Sequence, residues 1–265
     1  MTMSADFIKL IPMAGAGSRF AMKGYTTPKP LLPVRGLPMV VSAAKSLPYE
    51  GGEYIFVVRQ FHIEEYGIDA VLKEHFPEAH IITIDALTEG QASTCLLARD
   101  WINNDSELFI GASDNGMLYD EEAFAEACRD TDAIVFSFRN NPTVLPSPKA
   151  YGWVLTAEDG VSITEAKVKY DMPDPLNHHA YVGAFWFRKG SLFVEAAERM
   201  IAQNRRVNNE FYVDECINDL IAMGLRARVF EVDHYICWGT PSDYQTFQYW
   251  DEYYHILKNR ASHQQ

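Results

Sequence analysis

The chain's 265 residues carry 23 Lys and Arg against 36 Asp and Glu, a net charge of −13, with 48% hydrophobic and 13% aromatic side chains. That content excludes a disordered or low-complexity chain, and the length suits one large α/β domain or a domain with an insertion. The charge excludes a general nucleic-acid or anionic-membrane partner, and no stretch approaches the roughly 20 apolar residues of a membrane span. Cys95, Cys128, Cys216 and Cys237 lie far apart with no zinc spacing, which reads as buried or free thiols in a reducing compartment. Met1–Asp6 is polar and the apolar run behind it is short, so no signal peptide is read and a cytoplasmic protein is expected.

The first element is an apolar run, Phe7, Ile8, Leu10 and Ile11, which reads as a short buried strand. It leads into Gly15-Ala-Gly17-Ser-Arg19 and then a basic segment ending Pro28-Lys29-Pro30-Leu31-Leu32-Pro33. Residues 37–47 read as a helix, 54–59 as a strand, 63–76 as an amphipathic helix stopping before Pro77, and 80–85 as a strand. Residues 91–102 read as a helix, 107–112 as a strand, 121–129 as a helix and 133–138 as a strand. Such alternation predicts a largely parallel, doubly wound sheet. The pattern then changes: 153–156 and 161–164 form a hairpin about Asp159-Gly160, and 180–187 is a strand. Residues 192–204 and 213–223 are helices, 226–232 a strand, and Pro241 opens a long aromatic-rich helix.

A glycine-rich turn leaving a strand presents bare N–H groups to a phosphate, and Arg19 and Lys29 add full charges. Lys9, Arg19, Lys23, Lys29 and Arg35 make residues 1–36 a basic island facing only Asp6. Phe20 stands where a dinucleotide fingerprint needs a small residue, and the Gly-Lys-Ser/Thr of a P-loop is absent. Asp114 closes an apolar strand, where open α/β sheets gather ligands and a Mg²⁺ ligand would sit. Gln91, after Gly90, both donates and accepts, so it matches several nucleobases and selects none.

With Lys29 ten residues beyond Arg19, the G-x-G-x-R and P-K-P-L-L-P-V elements together resemble the N-terminal signature of the sugar-phosphate nucleotidyltransferases, or nucleoside-diphosphate-sugar pyrophosphorylases. Further elements continue the resemblance to about Tyr244. Thr88-Glu-Gly90-Gln91 resembles the base-recognition loop, and Tyr151-Gly152-Trp153-Val154 the element whose glycine lies against the sugar. Glu165-Ala-Lys167 resembles a Glu-Lys pair with one residue inserted, with Lys169 as the alternative lysine. His179 to Gly183 resembles the strand closing the sugar pocket, and Asn209-Glu210-Phe211-Tyr212 a helix start found there. Trp238-Gly239-Thr240-Pro241 keeps the family's Gly-Thr-Pro, but its metal-binding Asp is here Cys237, leaving Asp233 or Asp243 to supply a carboxylate.

The resemblance implies an α/β, Rossmann-like, GT-A-type mixed and mainly parallel sheet, helices on both faces, and an added hairpin and sugar-binding region. It implies one domain, 1–265, with a nucleotide-binding half (1–140), an acceptor-binding half (141–245) and a C-terminal helix (241–265). The implied reaction transfers NMP from an NTP to a sugar phosphate or similar phosphorylated acceptor, releasing pyrophosphate. Arg19 and Lys29 would be catalytic. Ala14, Gly15, Gly17, Ser18, Gly90, Gln91 and Asp114 would bind nucleotide, and Gly152, Lys167, Gly183 and Glu210 the acceptor. Mg²⁺ would sit on Asp114 and Asp233. A GT-A glycosyltransferase and a non-catalytic regulatory paralogue stand as alternatives, the second motivated by Cys237, and a homo-oligomer stays open.

Overall fold

The computed structural model describes residues 7–15 and 17–262. Met1–Asp6, where no signal peptide was read, lies outside the described residues, as do Ala16 of the glycine turn and the last three residues of the expected C-terminal helix. The first half runs β1 (Phe7–Pro12), α1 (Ser18–Ala21), β2 (Pro33–Val34), β3 (Leu37–Pro38), α2 (Met39–Lys45), β4 (Glu53–Arg59), α3 (Gln60–Tyr66) and α4 (Ile68–His75). It continues with β5 (His80–Ile84), α5 (Gln91–Leu96), α6 (Arg99–Ile102), β6 (Glu107–Ile110), β7 (Asn115–Leu118), α7 (Glu121–Ala127) and β8 (Ala133–Phe138). The second half is β9 (Gly152–Thr156), β10 (Ile163–Val168), β11 (His179–Phe187), α8 (Gly190–Ala202), α9 (Val213–Ala222), β12 (Ala227–Glu231), β13 (His234–Cys237) and α10 (Pro241–Ser262).

Nine strands pair in the order β10-β9-β11-β6-β1-β4-β5, with β8 on β11 and β12 on β8. β5, β4, β1 and β6 are parallel, as are β8 and β12; β11 runs antiparallel to β6, β8 and β9, and β9 to β10. The inner strands are apolar on both sides because helices cover both faces. Ala92, Cys95, Phe193, Val213 and Leu220 of α5, α8 and α9 pack on one face, and Val40, Val41, Ile68, Leu72 and Phe124 of α2, α4 and α7 on the other. Since β5, β1 and β6 are parallel, the loops leaving them emerge at one carboxyl edge of the sheet.

Two predicted helices are divided and one ribbon was not predicted. The helix expected over 63–76 is two, because Gly67 adopts φ 59 between α3 and α4 and ends the first in a left-handed turn. The helix expected over 91–102 closes at Leu96 and restarts at Arg99. The β7–β13 ribbon was not read at all: its strands are four residues each, and Asn115-Gly116 reads as a turn in isolation.

Candidate active site

Leaving β1, the chain turns at Gly17, whose φ of 61 is left-handed, and enters the single turn of α1. A Cβ on Gly17 would stand 3.9 Å from Lys29 Cβ, so the glycine turn and the Pro28-Lys29-Pro30 segment lie side by side. Lys29 opens a short 3₁₀ turn between two prolines, and Phe20, buried under it, has its ring 5.9 Å from Lys29 Nζ. The ammonium is paired with the carboxylate of Asp114, 85 residues away, at the end of the segment leaving β6. Ala14 is buried at the base of the turn, whereas Gly15 opens onto free space and Ser18 and Arg19 are exposed. Beside the turn lies a cavity of about 140 Å³ lined by Gly15, Gly17, Thr26, Thr27, Lys29 and His62. His62 was not singled out from the sequence; it is buried, its Nδ1 has no hydrogen-bond partner among the described residues, and burial and then Arg59 hold its pKa below the usual value.

The basic island is smaller in space than in sequence. Lys9 points from β1 into the core, 1% exposed, bonded to Tyr49 O and Tyr54 Oη. Burial lowers its pKa to about 8. Arg35 pairs with Asp251 of α10 at 2.7 Å. Arg19, Lys23 and Lys29 are left of that group, Lys23 exposed just beyond α1.

At the loop after β5, Gly90 has φ 125 and ψ 177, a conformation open essentially to glycine alone. A Cβ there would come within 2.5 Å of Phe211 N and O. Phe211 N donates to Glu89 O at 2.8 Å and Ala92 N to Phe211 O at 3.0 Å, fastening the Gly90-Gln91 loop to the segment carrying Glu210. Thus two pieces expected to serve base and acceptor are physically joined. Glu210 accepts from Tyr212 Oη.

On the other side of Asp114, β11 breaks register between Tyr181 and Phe185, and Gly183 sits in that bulge with φ 92. A Cβ on Gly183 would lie 3.4 Å from Asn115 Nδ2, which itself donates to Val182 O at 2.7 Å. Gly152 begins β9 against Tyr181, where a Cβ would come within 2.5 Å of Asp214 Oδ2. Lys167 lies on β10 paired with Glu165 at 2.7 Å, its Nζ 5.0 Å from the Tyr170 ring. Lys169, the alternative, has Nζ 5.8 Å from the Tyr212 ring. Asp214 is an additional carboxyl that the sequence reading passed over; burial, reinforced by Glu215, pushes its pKa up to about 7.

Asp233, expected as a second metal carboxylate, lies away from Asp114. In the β7–β13 ribbon Cys237 faces Asn115 and His234 faces Leu118, so Asp233 is carried to the far end, about 16 Å along the strand from Asp114. Asp243 comes close to Cys237 but serves α10: Thr240 Oγ1 donates to Asp243 Oδ2 at 2.6 Å, and Asp243 N donates back to Thr240 Oγ1 at 3.2 Å, a reciprocal helix cap. Cys237 itself is a neutral thiol whose pKa burial pushes up to about 11, with Sγ donating toward Asp243 Oδ2. A Cβ on Gly239 would stand 3.3 Å from Asp114 Oδ2 and 3.5 Å from Cys237 Sγ, so the absent side chain leaves both open together. No cluster of three or more His, Cys, Asp or Glu that would hold a metal occurs among the described residues. Mg²⁺ favours oxygen and is commonly held by one or two carboxylates plus substrate phosphates. This donor set fits a Mg²⁺ arriving on nucleotide phosphates and held by Asp114; it does not fit a two-carboxylate cage.

Across the carboxyl edge the order is therefore Gly90 with Glu210, Gly17 with Lys29 and Asp114, then Gly183, Gly152 and Lys167. The same sheet occurs in solved structures. The nucleoside-diphosphate-sugar pyrophosphorylase of Vibrio cholerae RC9 superposes with a TM-score of 0.72 at 19% identity, over 90% of this chain and 98% of that one. The fold is shared with sugar-nucleotide pyrophosphorylases. The inositol-1-phosphate CTP transferase of T. maritima matches with a TM-score of 0.67 at 14% identity, over 94% and 96% of the two chains. A UDP-glucose pyrophosphorylase complexed with UDP-glucose gives 0.70 at 17% identity, over 94% and 98%. No family model and no curated protein sequence matches the chain.

Proposed function

We propose that the protein is a nucleotidyltransferase that moves NMP from an NTP to a sugar phosphate or similar small phosphorylated acceptor, releasing pyrophosphate. The observation carrying this reading is the Lys29–Asp114 contact beside Gly17: a cation and a carboxylate from distant segments meet at the carboxyl edge, against a bare glycine turn. A phosphate oxygen of the acceptor attacks the α-phosphorus; that P–O bond forms as the bond to the β-phosphate oxygen breaks and pyrophosphate leaves. The protein's task is alignment and charge stabilisation.

Gly15 and Gly17 offer backbone N–H groups to the phosphates, with Ala14 and Ser18 framing the turn. Arg19, free in solvent, closes on the departing pyrophosphate, and Lys29 faces the α-phosphate. Asp114 would hold Mg²⁺, which when bound neutralises phosphate charge. The Gly90-Gln91 loop receives the base, and Gly183, Gly152, Lys167 and Glu210 receive the acceptor. Residues 1–140 and 141–245 thus act as nucleotide and acceptor halves of one domain. Four free cysteines among the described residues suit a reducing, cytoplasmic setting, and no described helix is long and apolar enough to cross a membrane. Pyrophosphate release should require one of CTP, UTP, dTTP, GTP or ATP together with one acceptor from a panel of sugar 1-phosphates and other phosphate esters, including an inositol phosphate. Nucleotide binding with no release across the panel would instead support the regulatory reading that Cys237 motivates.

A further inference from the structure

Strand β4 lies between β1 and β5 in the sheet and ends at Arg59, and α3 follows it with no loop between. The helix therefore starts at the same carboxyl edge as the glycine turn. Its His62 is 6% exposed and lines the cavity of about 140 Å³ together with Gly15, Gly17, Thr26, Thr27 and Lys29. The rings of Phe61 and Tyr66 flank the imidazole at 5.9 and 6.3 Å between centroids, while Nδ1 lacks a hydrogen bond among the described residues. Three residues back, Arg59 Nε is likewise buried without a partner among them. A buried polar nitrogen left unpaired destabilises the fold, so two of them at one edge of the sheet call for a reason.

The chemistry around them suits an anion. No Asp or Glu among the described residues lines the cavity, although the chain has 36 of them. Thr26 and Thr27 bring hydroxyls, the turn brings bare backbone, and Lys29 brings the charge it otherwise shares with Asp114. Burial, and then Arg59, keep His62 below its usual pKa, so the resting ring is neutral with one N–H to donate. The two faces of the sheet give the direction. Helix α5, which follows the Gly90-Gln91 loop, packs on one face through Ala92 and Cys95, whereas Ile63 of α3 packs on the other. A nucleotide with its base at Gly90 and its phosphates on the glycine turn therefore crosses the edge with its tail toward α3.

We infer that this cavity receives the terminal phosphates of the nucleotide, and afterwards the pyrophosphate, and that His62 is the side chain that binds them alongside Lys29. The inference rests on the nucleotidyl-transfer reading and carries its phosphate site beyond the glycine turn to α3. Lys29 faces the α-phosphate, and His62 meets the leaving end.

Calorimetric titration of the full chain with inorganic pyrophosphate, Mg²⁺ present, tests this. The parent should bind it. His62→Leu should weaken binding roughly tenfold or more, the loss of one hydrogen bond to a charged group. His62→Gln, which keeps a donor at the end of the side chain, should stay within about threefold of the parent. The melting temperature of His62→Leu should be unchanged or raised, because leucine removes the unpaired nitrogen; a purely structural histidine would show lower melting and unaltered binding. In the parent, the His62 ring C2 proton resonance, assigned by its absence from either variant, should shift when pyrophosphate is added. The proposal is overturned by a parent that binds no pyrophosphate, by His62→Leu binding as well as the parent, by His62→Gln losing as much as His62→Leu, or by an unmoved His62 resonance. A parent that binds pyrophosphate through His62 yet releases none from any nucleotide and acceptor in the panel would strike the transferase reading and leave this site in place.

Discussion

Lys29 is the residue at which sequence and space agree most closely. Its ion pair with Asp114 is partly solvated, with side chains 14% and 25% exposed, so its worth to stability is about 1 kcal/mol. As a donor aimed at charge developing on phosphate, a single such group is worth about 10²–10³-fold in rate. Lys29→Ala should therefore lower turnover by that factor while thermal unfolding moves by only a few degrees; comparable losses in both would make Lys29 a structural residue. Cys237 invites the reverse experiment. Cys237→Asp places a second carboxylate beside Asp114, within the gap that Gly239 leaves, and near the capped Asp243. In EDTA this variant should melt lower than the parent through like-charge repulsion. With Mg²⁺ and a non-hydrolysable nucleotide it should bind the metal at least tenfold more tightly by calorimetric titration. Lys29 and Asp114 were legible because motif spacing and a strand end declare them. Asp233 was expected on the metal with Asp114, but its place was not legible, because only the register of two four-residue strands shows which end of the ribbon it occupies. Lys9 joined the basic island by position in the chain, yet strand alternation turns it into the core.

At the scale of elements, the site depends on joints between segments that the sequence lists separately. The alternating strands and helices were readable because apolar runs such as the Ala133–Phe136 part of β8 mark strands covered on both faces. The fastening of Gly90 to Phe211 was not readable, since it rests on a backbone approach with no side-chain signal. Gly90→Ala meets both the glycine-only backbone and the Phe211 main chain, a penalty of about 2 kcal/mol or more, or roughly 4–8 °C. It should also weaken nucleotide and acceptor binding together, measured by separate titrations; loss of one alone would mean the loop serves that ligand only. Helix α9 carries a second consequence. Asp214, on its first turn, has a pKa of about 7 against 3.8 for an ordinary carboxyl, so the folded chain holds the proton more tightly than the unfolded one. Stability from this group is full below 3.8 and declines as pH rises through about 7. The melting temperature of the parent relative to Asp214→Asn should fall across that interval, and parallel curves would remove Asp214 as the cause.

For the whole molecule the decisive feature is where β11 sits. It pairs with β6 of the first half and with β9 and β8 around it, so the two halves share one sheet and the apolar clusters on both faces draw residues from each. A boundary near residue 140 therefore has no separate core on either side to unfold alone, and scanning calorimetry should show a single transition whose calorimetric and van't Hoff enthalpies agree. Because the proposed site draws on both halves, nucleotide at a hundredfold excess over its Kd should stabilise the entire transition by about 2.7 kcal/mol, or roughly 5–10 °C, without splitting it. Lys29→Ala should shrink that shift while leaving the transition single. Two resolved peaks, with nucleotide moving only one, would instead divide the protein into independently folding nucleotide and acceptor units, and the shared strand would then be a docking edge between them.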